Sequence, residues 1–321
     1  CVVFAVLTMR PSGMDLSNKS ITSSTVKSGG DDMIIVEVRE AHVNEILTHV
    51  EAEYRDMCRD VLHGKAVSFA QAWQDWMVYH NYFRDRKWGD GFYLDIGAND
   101  ATEISNTLFF DKCLGWRGIC AEPQARYHSG IRAKRGCDLL PSCVLGKDTK
   151  VSTAKNGVDF AVKQASPGET ATMECVGIET LKRKYGFEKN DFVSLDIEGA
   201  EPSVLSCWPF ETVETTMFVV ETNKLDLRFV DFFFHRHGYI NANSFGNVAN
   251  PPTVSFLDNL YVMNKDQDKQ FIHPPTRRQR ICVYTADEKI PIPLVLCLVI
   301  KCLFRWSLHD AIGFANVNSH R

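Results

Sequence analysis

A short apolar segment runs into a polar, glycine-containing loop at Leu94-Asp95-Ile96-Gly97-Ala98-Asn99-Asp100-Ala101. Residues 91–96 have the composition of a buried strand, and residues 102–112 have the periodicity of a helix. Gly97 lets the backbone turn tightly and approach a ligand closely. We expect Asp100 to cap the helix, with the glutamate three positions later completing a capping box. A strand, a glycine turn and a helix in this order predict a nucleotide-type site, and a connecting turn without a ligand is the alternative.

The chain beyond this loop alternates between strand-like and helix-like segments. The predicted strands are 117–121, 138–145, 192–197, 216–221, 239–243 and 255–263. The predicted helices are 124–135, 178–185, 203–207 and 227–237, and Asn156-Gly157 predicts a hairpin over 151–162. Repeated alternation predicts an α/β fold with a mostly parallel sheet and helices on both faces. The last two strands have no long helix between them, which predicts an antiparallel end to the sheet.

Acidic side chains follow three of the predicted strands. Glu122 stands at the tip of the second strand, about 20 residues beyond the glycine loop, where it can accept hydrogen bonds from ribose hydroxyls. Asp196, Glu198 and Glu201 crowd the end of the next central strand, and Glu221 ends the one after it. Like charges this close raise at least one pKa or require a cationic partner. Open α/β sheets bind ligands at the carboxyl ends of their strands, so these residues predict a site.

Five ordered motifs resemble the FkbM-type methyltransferase family, over about residues 75–263. The motifs are Asp95-Ile96-Gly97-Ala98-Asn99, Cys113-Leu114-Gly115-Trp116-Arg117-Gly118, Ala121-Glu122-Pro123, Ile178-Glu179-Thr180-Leu181 and Leu195-Asp196-Ile197-Glu198-Gly199-Ala200-Glu201. Gln74-Asp75 resembles the start of that domain. The resemblance implies a Rossmann-like, seven-strand methyltransferase sheet. It also implies S-adenosyl-L-methionine as the cofactor, usually for O-methylation of a hydroxyl acceptor.

The resemblance assigns cofactor contacts to six positions: Asp95, Gly97, Asn99, Glu122, Ser142 and Cys143. The first three would line the amino-acid end of the cofactor, the glutamate would hold its ribose, and the last two would lie near its adenine. Ala101 departs from the family pattern, which commonly has glycine there. Its methyl group predicts crowding at the start of the following helix.

The same resemblance places Asp196 and Glu198 at the methyl-transfer centre. Our hypothesis is that one of them takes the proton of the acceptor hydroxyl, a role that typically contributes roughly 10²–10⁴ in rate. An electrostatic role toward the positive sulfonium and a structural network of helix caps are the alternatives.

We predict no metal site. No C-x-x-C pair occurs among the 11 cysteines, which argues against zinc. Buried free thiols are our expectation for the cysteines, with disulfides as the alternative in an oxidising compartment. Oxygen ligands from Asp196, Glu221 and Asn223 are the one metal alternative that the sequence leaves open. His235 and His237 are interpreted as cations that favour a helix carboxyl terminus.

The chain divides into four segments, at residues 1–30, 31–88, 89–264 and 265–321. We interpret them as a flexible segment or remnant of a signal or anchor, a helical region, the methyltransferase domain and an extension. A net charge of -4 argues against nucleic acid, so the expected partner is a small-molecule or glycan acceptor. Apolar runs at 2–7 and 290–304 leave membrane association and the compartment open, although the second is shorter than the ~20 residues of a spanning helix.

Two rival functions belong to other classes. One is an NAD-dependent dehydrogenase, which the absence of a full G-x-G-x-x-G pattern after Asp95 argues against. The other is a non-catalytic binding or adaptor protein that has kept the fold. Cofactor binding separates all three hypotheses, because fold does not by itself settle function.

Overall fold

A computed structural model describes residues 25–28, 31–65, 67–153, 162–164, 172–247, 255–263 and 280–285. The strands are β1 (Thr25–Ser28), β2 (Asp31–Val38), β3 (Phe92–Ile96), β4 (Arg117–Ala121), β5 (Asp138–Leu140), β6 (Val144–Leu145), β7 (Thr149–Thr153), β8 (Val162–Gln164), β9 (Met173–Gly177), β10 (Lys189–Leu195), β11 (Glu214–Glu221), β12 (Tyr239–Asn247), β13 (Ser255–Met263) and β14 (Arg280–Thr285). The helices are α1 (Glu40–His49), α2 (Arg55–Leu62), α3 (Gln74–Val78), α4 (Leu108–Leu114), α5 (Ala125–Lys134), α6 (Ile178–Tyr185), α7 (Glu201–Ser206) and α8 (Leu227–Arg236). A π-helix, Tyr79–Phe83, continues α3.

Seven strands form the main sheet, in the order β12-β13-β11-β10-β3-β4-β5. The five strands from β11 to β5 are parallel to one another. β13 runs antiparallel to both of its neighbours, β11 and β12. The predicted α/β sheet, mostly parallel with an antiparallel end, is confirmed, and its antiparallel component is the single strand β13.

Helices cover both faces of this sheet, because side chains of successive strand residues point to opposite faces. On β11, Met217 and Val219 pack into the cluster that contains α1 to α5. Phe218 and Val220 pack into the opposite cluster with α6, α7 and α8. Strands buried on both faces read as continuous apolar runs, which is why the central strands stood out in the sequence.

The helix predicted over 102–112 is wrong in its first half, because α4 begins only at Leu108. The carboxylate of Asp100 accepts the N–H groups of Thr102 and Glu103, at 2.9 and 3.0 Å, and closes a local turn. Ile104 then adopts a left-handed conformation with φ of 50°. A β-branched residue rarely does so, and it cannot continue a right-handed helix.

The predicted strand over 138–145 is two strands in different sheets. β5 closes one edge of the main sheet, whereas β6 belongs to a four-stranded sheet of order β6-β9-β7-β8. Pro141 lies between them. β7 and β8 pair antiparallel, as the predicted hairpin requires, but its Asn156-Gly157 turn lies outside the described residues.

Two strands replace expected irregular or helical structure near the start of the chain. β1 lies within the predicted flexible segment, and β2 begins the region predicted to be helical. They form a three-stranded sheet in which β14, from the predicted extension, pairs parallel with β2. The apolar runs at 2–7 and 290–304 lie outside the described residues.

The expectation of buried free thiols is wrong for six cysteines. Disulfides join Cys58 to Cys113, Cys120 to Cys137 and Cys143 to Cys175. Cys207 is a free cysteine. The sequence did not reveal these pairs, because partners 17 to 55 residues apart meet only once the sheet has formed. Within the described part of the chain, no helix has the length and apolar character to cross a membrane.

Candidate functional site

An open cleft of about 950 Å³ lies at the carboxyl ends of the parallel strands. Its lining residues include Gln71, Gln74, Asp95, Gly97, Asn99, Ile104, Asn106, Glu122, Cys143, Ser194, Asp196, Ile197, Glu198 and Asp258. Five of the lining residues are carboxylates, and none is a lysine, arginine or histidine. The cleft therefore favours a ligand that brings positive charge or hydrogen-bond donors.

Gly97 allows the loop after β3 to lie directly against the loop after β10 at the floor of the cleft. It has a φ of 94°, and a Cβ built there would lie 1.8 Å from the carbonyl oxygen of Asp196. Only glycine avoids this collision, so the two loops that follow β3 and β10 meet here through their backbones. Their contact forms a narrow floor that a ligand can approach closely.

The loop after Gly97 is held by Arg135, which follows α5 and has a fully buried side chain. Its guanidinium donates to Asp111 at 2.7 Å and to the hydroxyl of Thr107 at 2.6 Å. That hydroxyl in turn donates to Asp95 at 2.5 Å. Burial raises the pKa of Asp95, and the nearby guanidinium opposes that shift. Asp95 thus faces the cleft in an orientation that Arg135 fixes.

Glu122 links the loop to the second strand. Its carboxylate accepts the N–H of Asn99 at 2.8 Å and the N–H of Gln124 at 2.7 Å. Burial raises the pKa of this carboxyl, and the two backbone donors oppose the shift. The side-chain oxygen of Asn99 is buried and has no hydrogen-bond partner among the residues that the structure describes. A buried unsatisfied oxygen in a cleft is a place for a ligand donor.

Three carboxylates, of Asp196, Glu198 and Glu221, converge where β10 and β11 end, with oxygens within 4.8 Å of one another. Lys224 donates to Glu198 and, at 3.1 Å, to Glu221. Burial and the adjacent charge of Glu221 raise the pKa of Asp196 well above its ordinary value. Glu198 and Glu221 therefore share one ammonium, and Asp196 holds a proton more readily than an ordinary aspartate.

The loop that carries these acids is fixed by Glu201, which begins α7 and is fully buried. One carboxylate oxygen accepts the N–H groups of Ile197 and Gly199, at 2.8 and 3.2 Å. Burial raises the pKa of Glu201 to about 7. This residue shapes the loop and does not line the cleft.

The far end of the cleft is formed by Gln74 and Asp258, which the sequence analysis did not single out as site residues. The amide of Gln74 donates to the carboxylate of Asp258 at 2.5 Å. Both side chains are buried, and burial raises the pKa of Asp258 to about 6. Asp258 lies in β13, directly opposite Glu221 of β11. An acidic residue within this predicted strand was the sequence signal that could have indicated a site residue.

Seven of the eight predicted site residues line this one cleft: Asp95, Gly97, Asn99, Glu122, Cys143, Asp196 and Glu198. Ser142 does not, because it is turned toward β9, where its hydroxyl donates to the carbonyl of Glu174 at 2.7 Å. Cys143 lines the cleft as half of a disulfide and not as a thiol. The predicted crowding by Ala101 is wrong, because that side chain is buried in the core and no helix starts there.

The fold and the cleft define an α/β protein with a ligand site at the carboxyl edge of its sheet. Residues 95–240 match the family model described as Methyltransferase FkbM domain. Over these residues the resemblance to that family seen in the sequence is confirmed. Methyltransferases of this family generally use S-adenosyl-L-methionine, so the match makes this cofactor the ligand to test against the cleft.

Similarity to other known proteins is distant. No curated protein matches the chain in sequence. A precorrin-6y C5,15-methyltransferase from Geobacter metallireducens GS-15 is 16% identical, over 55% of this chain and 79% of that one, with a TM-score of 0.31. A putative RNA methyltransferase from Pyrococcus horikoshii is 10% identical, over 70% and 98%, with a TM-score of 0.32.

The residues of the cleft fit S-adenosyl-L-methionine. Its sulfonium and ammonium groups are cations, which suit a lining that has five carboxylates and no basic side chain. The unpartnered oxygen of Asn99 offers an acceptor for a ligand donor. A dinucleotide fits poorly, because its pyrophosphate requires a helix amino terminus or cations directly after the glycine, and α4 begins well beyond it.

Proposed function

We propose that this chain methylates a hydroxyl group of its acceptor with S-adenosyl-L-methionine. The observation that carries this proposal is the single cleft that joins Glu122 and Asn99 at one end to Asp196 and Glu198 at the other. When bound, S-adenosyl-L-methionine supplies the methyl group of its sulfonium to the acceptor oxygen and keeps the bonding electron pair as a neutral thioether.

The cofactor end of the cleft is formed by residues on β3 and β4. Glu122 is placed to accept from the ribose hydroxyls with the lone pairs that its two backbone donors leave free. Asp95, Gly97 and Asn99 surround the amino-acid end. Their positions are fixed before the ligand binds, and preorganised groups lose little entropy on binding.

Asp196 is the proton acceptor in this proposal. Burial and the adjacent charge of Glu221 raise the pKa of this carboxyl, and a carboxylate with a higher pKa is a stronger base. Glu198 and Glu221 already share the ammonium of Lys224, so Asp196 is left to accept the hydroxyl proton. The cleft also lowers the activation barrier by holding the acceptor oxygen in line with the methyl group. Such positioning can supply ~7–11 kcal/mol.

Calorimetric titration with S-adenosylhomocysteine tests the cofactor site. Wild type is expected to bind, and Glu122→Gln to bind about 10- to 100-fold more weakly, because hydrogen bonds to a charged group are worth roughly 1.5–3 kcal/mol. Glu103→Gln is the matched control, since that exposed side chain lies in the same loop but outside the cleft. A folded wild-type protein that does not bind would refute the proposal and favour the non-catalytic alternative.

Transfer of labelled methyl groups to hydroxyl acceptors tests the chemistry. Asp196→Asn is expected to lower kcat by roughly 10²–10⁴ and to leave the Kd of S-adenosylhomocysteine within about twofold. Mass spectrometry of the product distinguishes an ether from an N-methyl or C-methyl group. A product methylated on nitrogen or carbon, or full turnover by the variant, would contradict the O-methyl assignment or the role of Asp196.

A further inference from the structure

We propose that the end of the cleft beyond Asp196 is a subsite for an uncharged polyhydroxy acceptor, in which Gln74 and Asp258 hold a hydroxyl next to the one that is methylated. This inference rests on the proposed function and names the class of its acceptor. Neither residue lies within the segment 95–240 that matches the family.

The proposed subsite and the cofactor end lie at opposite ends of the cleft. Along the sheet edge, the cleft runs from Glu122 after β4, past β3 and β10, to Asp258 on β13. Four steps between neighbouring strands, at about 4.8 Å each, give about 19 Å. Asp196 follows β10, in the middle of this path. An acceptor whose reacting hydroxyl reaches Asp196 therefore extends toward Asp258.

The contacts of Gln74 and Asp258 call for a hydroxyl donor. The side chains are 1% and 5% exposed, respectively. The oxygen of Gln74 accepts the N–H of Ala72 at 2.8 Å, so its amide is oriented to donate to Asp258. That bond uses one carboxylate oxygen of Asp258, and the other has no hydrogen-bond partner among the described residues. A nearly buried carboxylate oxygen at the cleft wall gains most from a donor that the ligand brings.

Charge excludes an anionic acceptor. Asp196, Glu198 and Asp258 line this end of the cleft, and no basic side chain is among the described residues that line it. A phosphate or carboxylate on the acceptor would face these carboxyl groups, and the ammonium of Lys224 is already bound to Glu198 and Glu221. Burial raises the pKa of Asp258 to about 6, and the hydrogen bond from Gln74 opposes this shift.

Polarity excludes a simple fatty alcohol. Gln71, Gln74 and Asp258 present amide and carboxylate groups to the cleft. An alkyl chain placed there would bring no donor to the carboxylate oxygen of Asp258 that Gln74 leaves free. A site built to bond a hydroxyl discriminates strongly against an analogue that lacks it.

Saturation-transfer NMR of the full chain, saturated with S-adenosylhomocysteine, tests the subsite. The neutral probes are an equimolar set of methyl glycosides of glucose, galactose, mannose and fucose. The anionic probe is glucose 6-phosphate, and the apolar probe is 1-octanol. At least one methyl glycoside is expected to bind, and neither other probe is expected to compete with it.

Variants assign this binding to the proposed residues. Asp258→Asn is expected to weaken glycoside binding about tenfold or more, with the Kd of S-adenosylhomocysteine within about twofold. Gln71→Ala, at an exposed position that tolerates change, is expected to weaken it severalfold. Asp226→Asn is the matched control, because that aspartate is exposed and lies outside the cleft.

The outcomes separate the two proposals. Loss of S-adenosylhomocysteine binding by wild type would overturn the proposed function itself. Intact cofactor binding, together with no glycoside binding, overturns the subsite alone. The same holds if glucose 6-phosphate or octanol displaces the glycoside, or if both cleft variants bind it as wild type does.

Discussion

At the scale of single residues, Gly97 connects the fold to the site most directly. Its positive φ and its contact with the carbonyl of Asp196 mean that a methyl group has no space there. Gly97→Ala is expected to lower the free energy of unfolding by more than about 3 kcal/mol, because left-handed strain adds to a backbone collision. Urea unfolding measures this change.

Gly186 provides the matched control for that prediction. It is also left-handed, with a φ of 67°, but a Cβ there would meet nothing within 4 Å. Gly186→Ala is therefore expected to cost only the left-handed strain, about 1–2 kcal/mol. Equal losses for the two variants would show that the collision with Asp196 is relieved, and that Gly97 is not what fixes the floor of the cleft.

Glu201 makes stability depend on pH. Its pKa is raised from 4.5 to about 7 in the folded chain, so the folded state holds a proton more tightly than the unfolded state does. The free energy of unfolding therefore falls as the pH rises from about 4.5 through 7. In Glu201→Gln this fall is expected to be smaller, which melting temperatures between pH 4 and 8 will show. If the pH profile of the variant equals that of wild type, titratable groups other than Glu201 cause the change in stability between pH 4 and 8.

At the scale of elements, the loop of residues 97–107 is where sequence and structure differ most. Apolar periodicity located α6 and β13 to the residue, and most other strands to within a few residues, because packing sets those patterns. It could not locate the start of α4. Local side-chain bonds of Asp100 and the buried guanidinium of Arg135 hold the preceding residues out of the helix. Arg135 follows α5, and no local pattern shows that it reaches this loop.

Arg135 therefore supports both the loop and the cofactor site. Arg135→Met removes the cation that pairs with the buried carboxylates of Asp95 and Asp111, and breaking such a buried pair costs about 3–5 kcal/mol. We expect a loss of that size in urea unfolding, with weaker S-adenosylhomocysteine binding where the variant remains folded. Arg132→Met, at an exposed position of α5 three residues earlier, should stay within about 0.5 kcal/mol. If the two variants lose similar amounts of free energy of unfolding, Arg135 does not hold the loop in the way proposed.

At the scale of the whole molecule, the acidic cleft was predictable and its far end was not. Strand ends follow from periodicity, so the sequence placed Asp95, Glu122 and Asp196 at one sheet edge. Gln74 precedes the sheet and Asp258 follows its last crossover, and only the completed fold brings the two together. The disulfide pairs were also not predictable from the sequence, because they depend on distances between residues that are far apart along the chain.

The disulfide between Cys58 and Cys113 links the helices that precede the sheet to α4. The bridged cysteines are 55 positions apart, and the chain-entropy relation for a loop of that length gives about 4 kcal/mol of stabilisation. The double variant Cys58→Ser/Cys113→Ser is expected to lose stability of that order in urea unfolding without reductant. Cys207→Ser is the control, because that cysteine forms no disulfide.

The N-terminal region that contains α2 and α3 also carries Gln74 of the proposed subsite. We therefore expect glycoside binding to weaken at a lower urea concentration than S-adenosylhomocysteine binding does. Simultaneous loss of both would show that the molecule opens as one cooperative unit.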